Sequence, residues 1–566
     1  MAIGPLLLRG YSCGHDFDIH LISWFEAQNG WRQGIPYPHW AESPNYGAGE
    51  PRFIFYPPLT WMLGAALGLV LPWTLVPIVL TYLLLAATGL ATRALASQAM
   101  ADGPATLAGC AAIFSGYAQF AAYERSAFGE LTGGFWIPLL LLFVLRDRNP
   151  SGSLIKRAFD GSTAPLALVI AGVWLSNAPL GVMGSYLLAA VALTAALLGK
   201  SWAPLVRASA GAALGMGLAA IYLVPAIWEQ HWADLKQAIG YDSEMIENSW
   251  LFARHADPGL DFHDMVLHQA SIIATVMIAV ALGGVLVSWL RGRLPGQRRW
   301  WIPLALMPAV VLFLQFPVSL PLWNALPKLR YLQFPWRWLV VLEAPMAVFF
   351  ASAAWCARRW RRVAVLAACT AIFLAVTTIA GQVFFQNCEA GDTVPDHLAR
   401  YRTGGGVMGN DEYAPPGADN SMVAIGLPDA CLSADPDTEL GLPGAPDVNP
   451  AWRAEQGTCD ATATAQLRQP EHLRIAATIS HAGFLILRLR SYPAWRIKVN
   501  GRLITGLPTR ADGLMAVPVS QGPVNLTVDW ITTGDIIAGC WLSLLALLLL
   551  TALFLLERKL SRPRLS

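Results

Sequence analysis

Asp16, Asp18 and His20 stand close together in GHDFDIHLISWFEAQNGWRQGIPYPHW (14–40), a polar, aromatic stretch near the start of a very hydrophobic chain. An aspartate in such a place can act as a general base, taking a proton from an attacking hydroxyl. Asp16 and Asp18 can instead hold a divalent metal beside a phosphate, or serve only as an N-cap or an ion-pair partner. If Asp16 begins a helix, His20 lies one turn on and Asp18 points elsewhere. His15, His20 and His39 taken alone read as hydrogen-bonded loop residues. Trp24, Trp31 and Trp40 can stack on sugar rings, but tryptophan at a membrane interface is usually an anchor.

Cations able to meet a phosphate recur further on. Arg52 precedes a proline-broken apolar run, and Arg125 shares YERSAFGE (123–130) with Glu124 and Glu130. Lys328, Arg330 and Arg337 surround YLQFPW. A leaving phosphate needs cationic or hydrogen-bonding stabilisation as its charge develops. The plainer reading of each cation is headgroup contact or snorkelling. Glu229 and His231, in LVPAIWEQHW (223–232), can bind donor or acceptor or simply open a solvated loop.

The elements that must position these residues follow from composition. The chain has 566 residues, 55% of them hydrophobic and 13% charged, with a mean hydropathy of +0.46. Soluble proteins carry about 25% charged residues, and several apolar runs here reach the roughly 18 residues that cross a bilayer. The fold class is therefore an α-helical polytopic membrane protein. The net charge of +2 names no partner, and no basic, aromatic-interleaved stretch points to nucleic acid. Of eight cysteines, Cys110, Cys356, Cys369 and Cys540 lie in or beside apolar runs and read as small hydrophobes. Cys388, Cys431 and Cys459 share a polar region, where two of them can pair if it is extracytoplasmic. No Cys or His spacing suggests zinc.

Eleven spans are expected: 75–96, 104–122, 132–146, 164–178, 180–198, 203–227, 268–290, 300–316, 335–356, 363–385 and 534–556. Short basic loops belong in the cytoplasm, which places RDRNPSGSLIKR (146–157), RGRLPGQRR (291–299), RRWRR (358–362) and the tail ERKLSRPR (557–564) there. The segments 123–131, 228–267, 317–334 and 386–533 then become extracytoplasmic. FIFYPPLTWMLGAALGLVL (53–71) opens on Pro57-Pro58 and reads as a helix in the outer interface or re-entering from it. The residues before Gly14 are too few for a span, which predicts a first helix upstream of Met1.

Residues 389–470 are rich in Gly, Pro, Asp and Asn and show little periodicity. From 472 onward strands are clear. AWRIKVNGRLI (494–504) alternates and turns at Asn500-Gly501, and VNLTVDW (524–530) alternates throughout. The chain thus divides into a first outer loop with interfacial helices (1–74), a transmembrane bundle (75–385), an extracytoplasmic, sandwich-like β domain (386–533), and a last span with a basic cytoplasmic tail (534–566).

The order of Asp18 and His20, QGIPYPHW (33–40), NYGAGEPRFIFYPPL (45–59), YERSAFGE, LVPAIWEQHW, RYLQFPWRW (330–338) and SYPAWRIKVNG (491–501) resembles GT-C membrane glycosyltransferases. It is most similar to their bacterial YfhO-like branch, whose membrane region carries the label "6-pyruvoyl-tetrahydropterin synthase-related". That label implies no pterin chemistry. The resemblance runs from about residue 10 to the end. It implies a polyprenyl-phosphate sugar donor, an inverting displacement, extracytoplasmic action and a catalytic aspartate in the first outer loop. By position Asp18 is the first choice for the base and Asp16 the second. His20, Arg52, Arg125, Glu130, Glu229, Arg330 and Arg337 become the expected substrate-binding set. No cofactor is implied, although a divalent metal remains open. The expected partners are that donor, membrane lipids and a glycan, lipid or protein acceptor of the cell envelope, at the inner membrane with the site facing outward.

Two other classes compete. A transporter or flippase of lipid-linked saccharides predicts paired broken helices and charges at mid-membrane; Glu343 is the main such charge. A non-catalytic scaffold for envelope assembly is the third reading, kept open by the missing first helix.

Overall fold

The computed structural model describes residues 1–148, 152–356, 358–438, 440 and 459–560. Each of the eleven expected spans coincides with helix. Among the described residues, eight helices are long and apolar enough to cross a membrane individually, from Val76–Ala96 to Gly534–Lys559, and up to ten are if two bent pairs are each counted as one. Thr163–Ser176 is apolar but has only 14 residues.

The bent pairs depart from straight spans at identifiable breaks. Ala203–Leu218 and Ala220–His231 meet at 75°. Pro225 cannot donate to the carbonyl one turn earlier. At the bend, Ser543 of the last long helix bonds the Gly217 and Leu218 carbonyls and accepts from the Ile221 amide. Arg298–Leu314 and Pro317–Ala325 meet at 100°, where Pro317 interrupts the run.

The apolar run after Arg52 is broken as its prolines require. Arg52–Phe55 and Pro58–Gly68 are separate helices, and the second, at 11 residues, is about 16 Å long, short of the roughly 30 Å hydrocarbon layer. The preceding helix, Phe17–Arg32, has Asp16 as its N-cap residue and packs on Pro58–Gly68.

Among the described residues, nine strands form two antiparallel sheets: β1 (Ala430–Ser433), β2 (Ala461–Ala463), β3 (Ala465–Gln469), β4 (His472–Ile479), β5 (Gly483–Arg490), β6 (Trp495–Val499), β7 (Arg502–Ile504), β8 (Leu514–Val519) and β9 (Gly522–Trp530). Their orders are β2-β1-β5-β8 and β3-β4-β9-β6-β7. Asn500 and Gly501 turn β6 into β7 with positive φ at both residues, as a tight hairpin requires. The alternate residues of β9 (Val524, Leu526, Val528 and Trp530) join one buried cluster with Trp40, Ile54 and Ile536. That cluster therefore glues the sandwich to the first loop and the last long helix.

The polar 389–470 region has more structure than its composition announces. It contains the helix Val394–Arg402 and the first three strands, while 441–458 lies outside the described residues. Two disulfides form. Cys431 pairs with Cys459 within the β region, and Cys388 pairs with Cys13 across 375 residues, a partner that sequence reasoning missed. At the other end of the bundle, Asp147 binds Arg157 and Arg299, and Glu557 accepts from the Thr163 and Ala164 amides.

Candidate active site

The segment Ser12–Asp16 lies along Tyr123–Ser126. The Asp16 amide donates to the Arg125 carbonyl at 2.8 Å and the His15 amide to that of Glu124 at 3.2 Å. A Cβ at Gly14 would meet the Glu124 carbonyl oxygen at 2.5 Å and Arg125 backbone carbon at 2.7 Å, so only glycine permits this approach. Ser126 supports it from the facing chain: its hydroxyl donates to the Ser12 carbonyl at 2.8 Å.

This backbone pairing sets up a chain of charges. Arg125 reaches Asp16 Oδ2 at 3.1 Å with one nitrogen and Glu130 Oε1 at 2.6 Å with another. Glu130 also accepts from the Tyr117 hydroxyl at 2.7 Å and has the Arg337 guanidinium at 2.8 Å as an ion-pair partner. Asp16 Oδ1 meets His15 Nδ1 at 2.7 Å. Burial alone would raise the Asp16 proton affinity, but Arg125 and His15 hold its carboxyl well below the usual carboxylate range.

A second buried pair stands beside the first. Arg52 Nε donates to Glu50 Oε1 at 2.7 Å, and its other nitrogens reach Ser23 and Asn410. The Asn410 amide donates to Glu50 Oε2 at 3.0 Å, tying in the segment after Arg402. His20 and Tyr56, 3.4 Å apart, feel the charges of Arg52, Asp16, Arg125 and Glu130 and so lie between the two networks. Burial lowers His20 to about 4, which keeps its ring neutral at physiological pH.

The connection between Trp228 and Asp261 roofs this region. Arg330 grips Glu247 at 2.7 and 2.8 Å, Gln333 donates to the Ala238 carbonyl at 2.6 Å, and the Tyr241 hydroxyl donates to Asp411 at 2.5 Å. Glu244, in the same connection, is raised to about 7 by burial, partly offset by Arg337 and His15. Its Oε2 is buried without a hydrogen-bond partner among the described residues. Burial likewise raises Glu412 to about 7, with Glu50, Glu244 and Arg52 among its neighbours.

Of the expected site residues, Asp16, His20, Arg52, Arg125, Glu130 and Arg337 come together. Asp18, Glu229 and Arg330 do not. Asp18 is 57% exposed and meets His397 at 2.9 Å, on another side of the helix from Asp16. The two aspartates therefore do not converge, and among the described residues no group of three or more metal-ligating side chains forms. Glu229 is buried at the β-sandwich junction, where it accepts from Tyr492 and Thr533. Arg330 holds the roof rather than the network, and Lys328 meets Gln230. Glu50, Tyr117, Glu244, Asn410 and Glu412 were missed. Glu50 was legible two residues before Arg52, whereas the others reach the site only through long-range packing.

A many-spanning helical membrane protein with a buried arginine–carboxylate network and a carboxy-terminal β sandwich is the class that fold and site define. Residues 53–387 match the family model described as 6-pyruvoyl-tetrahydropterin synthase related domain, membrane protein, and the chain belongs to that family. No curated protein matches. Among solved structures, the chain is similar to the arabinofuranosyltransferase AftD from Mycobacteria, with 15% identity and a TM-score of 0.39. The alignment covers 94% of this chain and 41% of that one, so the chain spans less than half of AftD's length.

Proposed function

We propose that the protein is a membrane glycosyltransferase that moves a sugar, with inversion, from a polyprenyl-phosphate donor to an extracytoplasmic acceptor of the bacterial envelope. The observation that carries this reading is the buried set Asp16–Arg125–Glu130–Arg337, with Arg52 beside it. Three guanidinium groups gathered at one end of a helical bundle suit a lipid-borne phosphate, which stays at the interface while its sugar reaches into a polar site. The acceptor hydroxyl attacks the anomeric carbon as the bond from that carbon to the phosphate oxygen breaks. The electron pair leaves with the phosphate, whose charge Arg125 and Arg337 stabilise. Asp16 takes the hydroxyl proton. In this reading Asp16 replaces Asp18 as the first choice, because Asp16 alone of the two stands in the charged network. The site and β sandwich face outward from the inner membrane, and the basic loops at the other end of the bundle face the cytoplasm.

One observation favours transport of lipid-linked saccharides instead: the two bent helix pairs, since broken helices line many transport sites. Glu343, the charge within a long helix, accepts from Ser115 at 2.9 Å. The deciding experiment is sugar transfer from a mixed pool of polyprenyl-phosphate sugars by membranes holding wild type, Asp16→Asn or Asp18→Asn. Loss of transfer in Asp16→Asn alone, at unchanged protein level, supports the transferase. Saccharide movement across vesicles that survives Asp16→Asn, with no transfer, supports transport.

A further inference from the structure

Arg125 serves two carboxylates that differ in how firmly they are held. Glu130 accepts hydrogen bonds from Arg125 at 2.6 Å and Tyr117 at 2.7 Å and has Arg337 Nε at ion-pair distance, 2.8 Å. Asp16 has Arg125 at 3.1 Å, the longest contact in the chain of charges, and His15 at 2.7 Å. Its side chain is 24% exposed against 7% for Glu130. An anion entering this site therefore exchanges most easily with Asp16. In the resting arrangement Asp16 is a poor base, since both its oxygens are already engaged.

Resting on the transferase reading, we infer that the donor's phosphate displaces Asp16 from Arg125, so that the base is released only when the donor is in place. The Arg125 Nη2 contact to Asp16 Oδ2 breaks and one to a phosphate oxygen forms. Asp16 then loses its cation and gains a neighbouring anion, and both changes raise the proton affinity of a carboxylate. The other titratable or charged groups around it are His15, which favours the ionised form, neutral His20, Tyr56 and Glu130. His15 alone balances the phosphate only in part. The acceptor's proton thus acquires a destination at the moment when a leaving group is present. A hydroxyl or water arriving without donor finds Asp16 occupied by Arg125.

The test uses the full chain in nanodiscs, with radiolabelled undecaprenyl phosphate as the probe and dicyclohexylcarbodiimide, which modifies protonated carboxyl groups, as the reporter. Modified peptides are mapped by mass spectrometry at neutral pH. Asp16 is expected to be almost unmodified without lipid and to rise several-fold as undecaprenyl phosphate binds, since each unit of raised proton affinity increases the protonated fraction about tenfold. Undecaprenol, which lacks the phosphate, should give no rise, and Arg125→Gln should be modified without any lipid. Undecaprenyl phosphate that binds and leaves Asp16 unmodified overturns the exchange while the transferase reading stands. A rise with undecaprenol also overturns it. Undecaprenyl phosphate that does not bind removes the reading and the exchange together. The wild-type titration decides the matter even if Arg125→Gln does not fold.

Discussion

The Asp16 carboxylate lies 3.1 Å from the Arg125 guanidinium although 109 residues separate them along the chain. The reason is backbone pairing between residues 12–16 and 123–126, which brings the two side chains into ion-pair reach with His15 and Glu130 as their further contacts. Asp16→Asn is expected to lower transfer by about 10²–10⁴-fold, the usual span for a lost general base. Asp18→Asn should leave it within a few-fold. Initial rates in membranes with matched protein levels measure both, and equal loss in the two variants would sink the assignment of Asp16.

Arg125→Gln removes the cation that two carboxylates share, and Glu130 keeps Arg337 while Asp16 keeps only His15. Breaking a buried ion pair costs about 3–5 kcal/mol, and the lower end applies because Asp16 is partly exposed and Glu130 retains a cation. Thermal unfolding in detergent should show a lowered midpoint, with Arg125→Lys falling between the variant and wild type.

Gly14→Ala places a methyl group against backbone atoms that no rotamer can move away. The segments must separate, at a cost of about 1–3 kcal/mol, and Asp16 shifts with them. The variant should lose transfer more severely than stability. Normal transfer by a stably folded Gly14→Ala protein would show that the register of residues 12–16 on 123–126 does not matter.

The Cys13–Cys388 disulfide ties this same segment to the chain leaving the helix Arg359–Val383. Removing a native disulfide typically costs about 2–5 kcal/mol, so Cys13→Ser and Cys388→Ser should each lower the unfolding midpoint. The double variant should do no worse than either single one. In unreduced protein neither thiol should react with maleimide, and reaction at both would remove the bridge.

Glu244→Gln should show a pH-dependent gain. Burial raises the folded carboxyl to about 7 from its ordinary 4.5, so between those values the folded state binds more protons than the unfolded one. Stability from this group is therefore greatest below about 4.5 and is lost as pH rises to about 7. Glutamine resembles the protonated form and escapes that loss. The midpoint of Glu244→Gln relative to wild type should rise between pH 5 and pH 8; a constant offset means that the group titrates normally.

Chain order and periodicity alone determined the helical bundle, the hairpin at Asn500-Gly501 and the break at Pro57-Pro58. Apolar run length, turn chemistry and a missing amide act locally, so a single sequence displays them. The same reasoning gathered Asp16, His20, Arg52, Arg125, Glu130 and Arg337 as candidates, because charge is conspicuous in apolar surroundings, but it gathered Asp18, Glu229 and Arg330 with them. It ranked Asp18 ahead of Asp16, by position in the resembled family, because nothing local shows which carboxylate meets a distant cation. Tertiary structure put Asp16, and not Asp18, into the arginine network, by laying Gly14 on the backbone of Arg125 and turning Asp18 toward His397. Only tertiary structure joined Cys13 to Cys388, bent the helix at Ala219 onto Ser543 and brought Glu244 and Glu412 over the arginines. Each of those contacts links distant parts of the chain, and its energy depends on burial and partner geometry that no local pattern encodes.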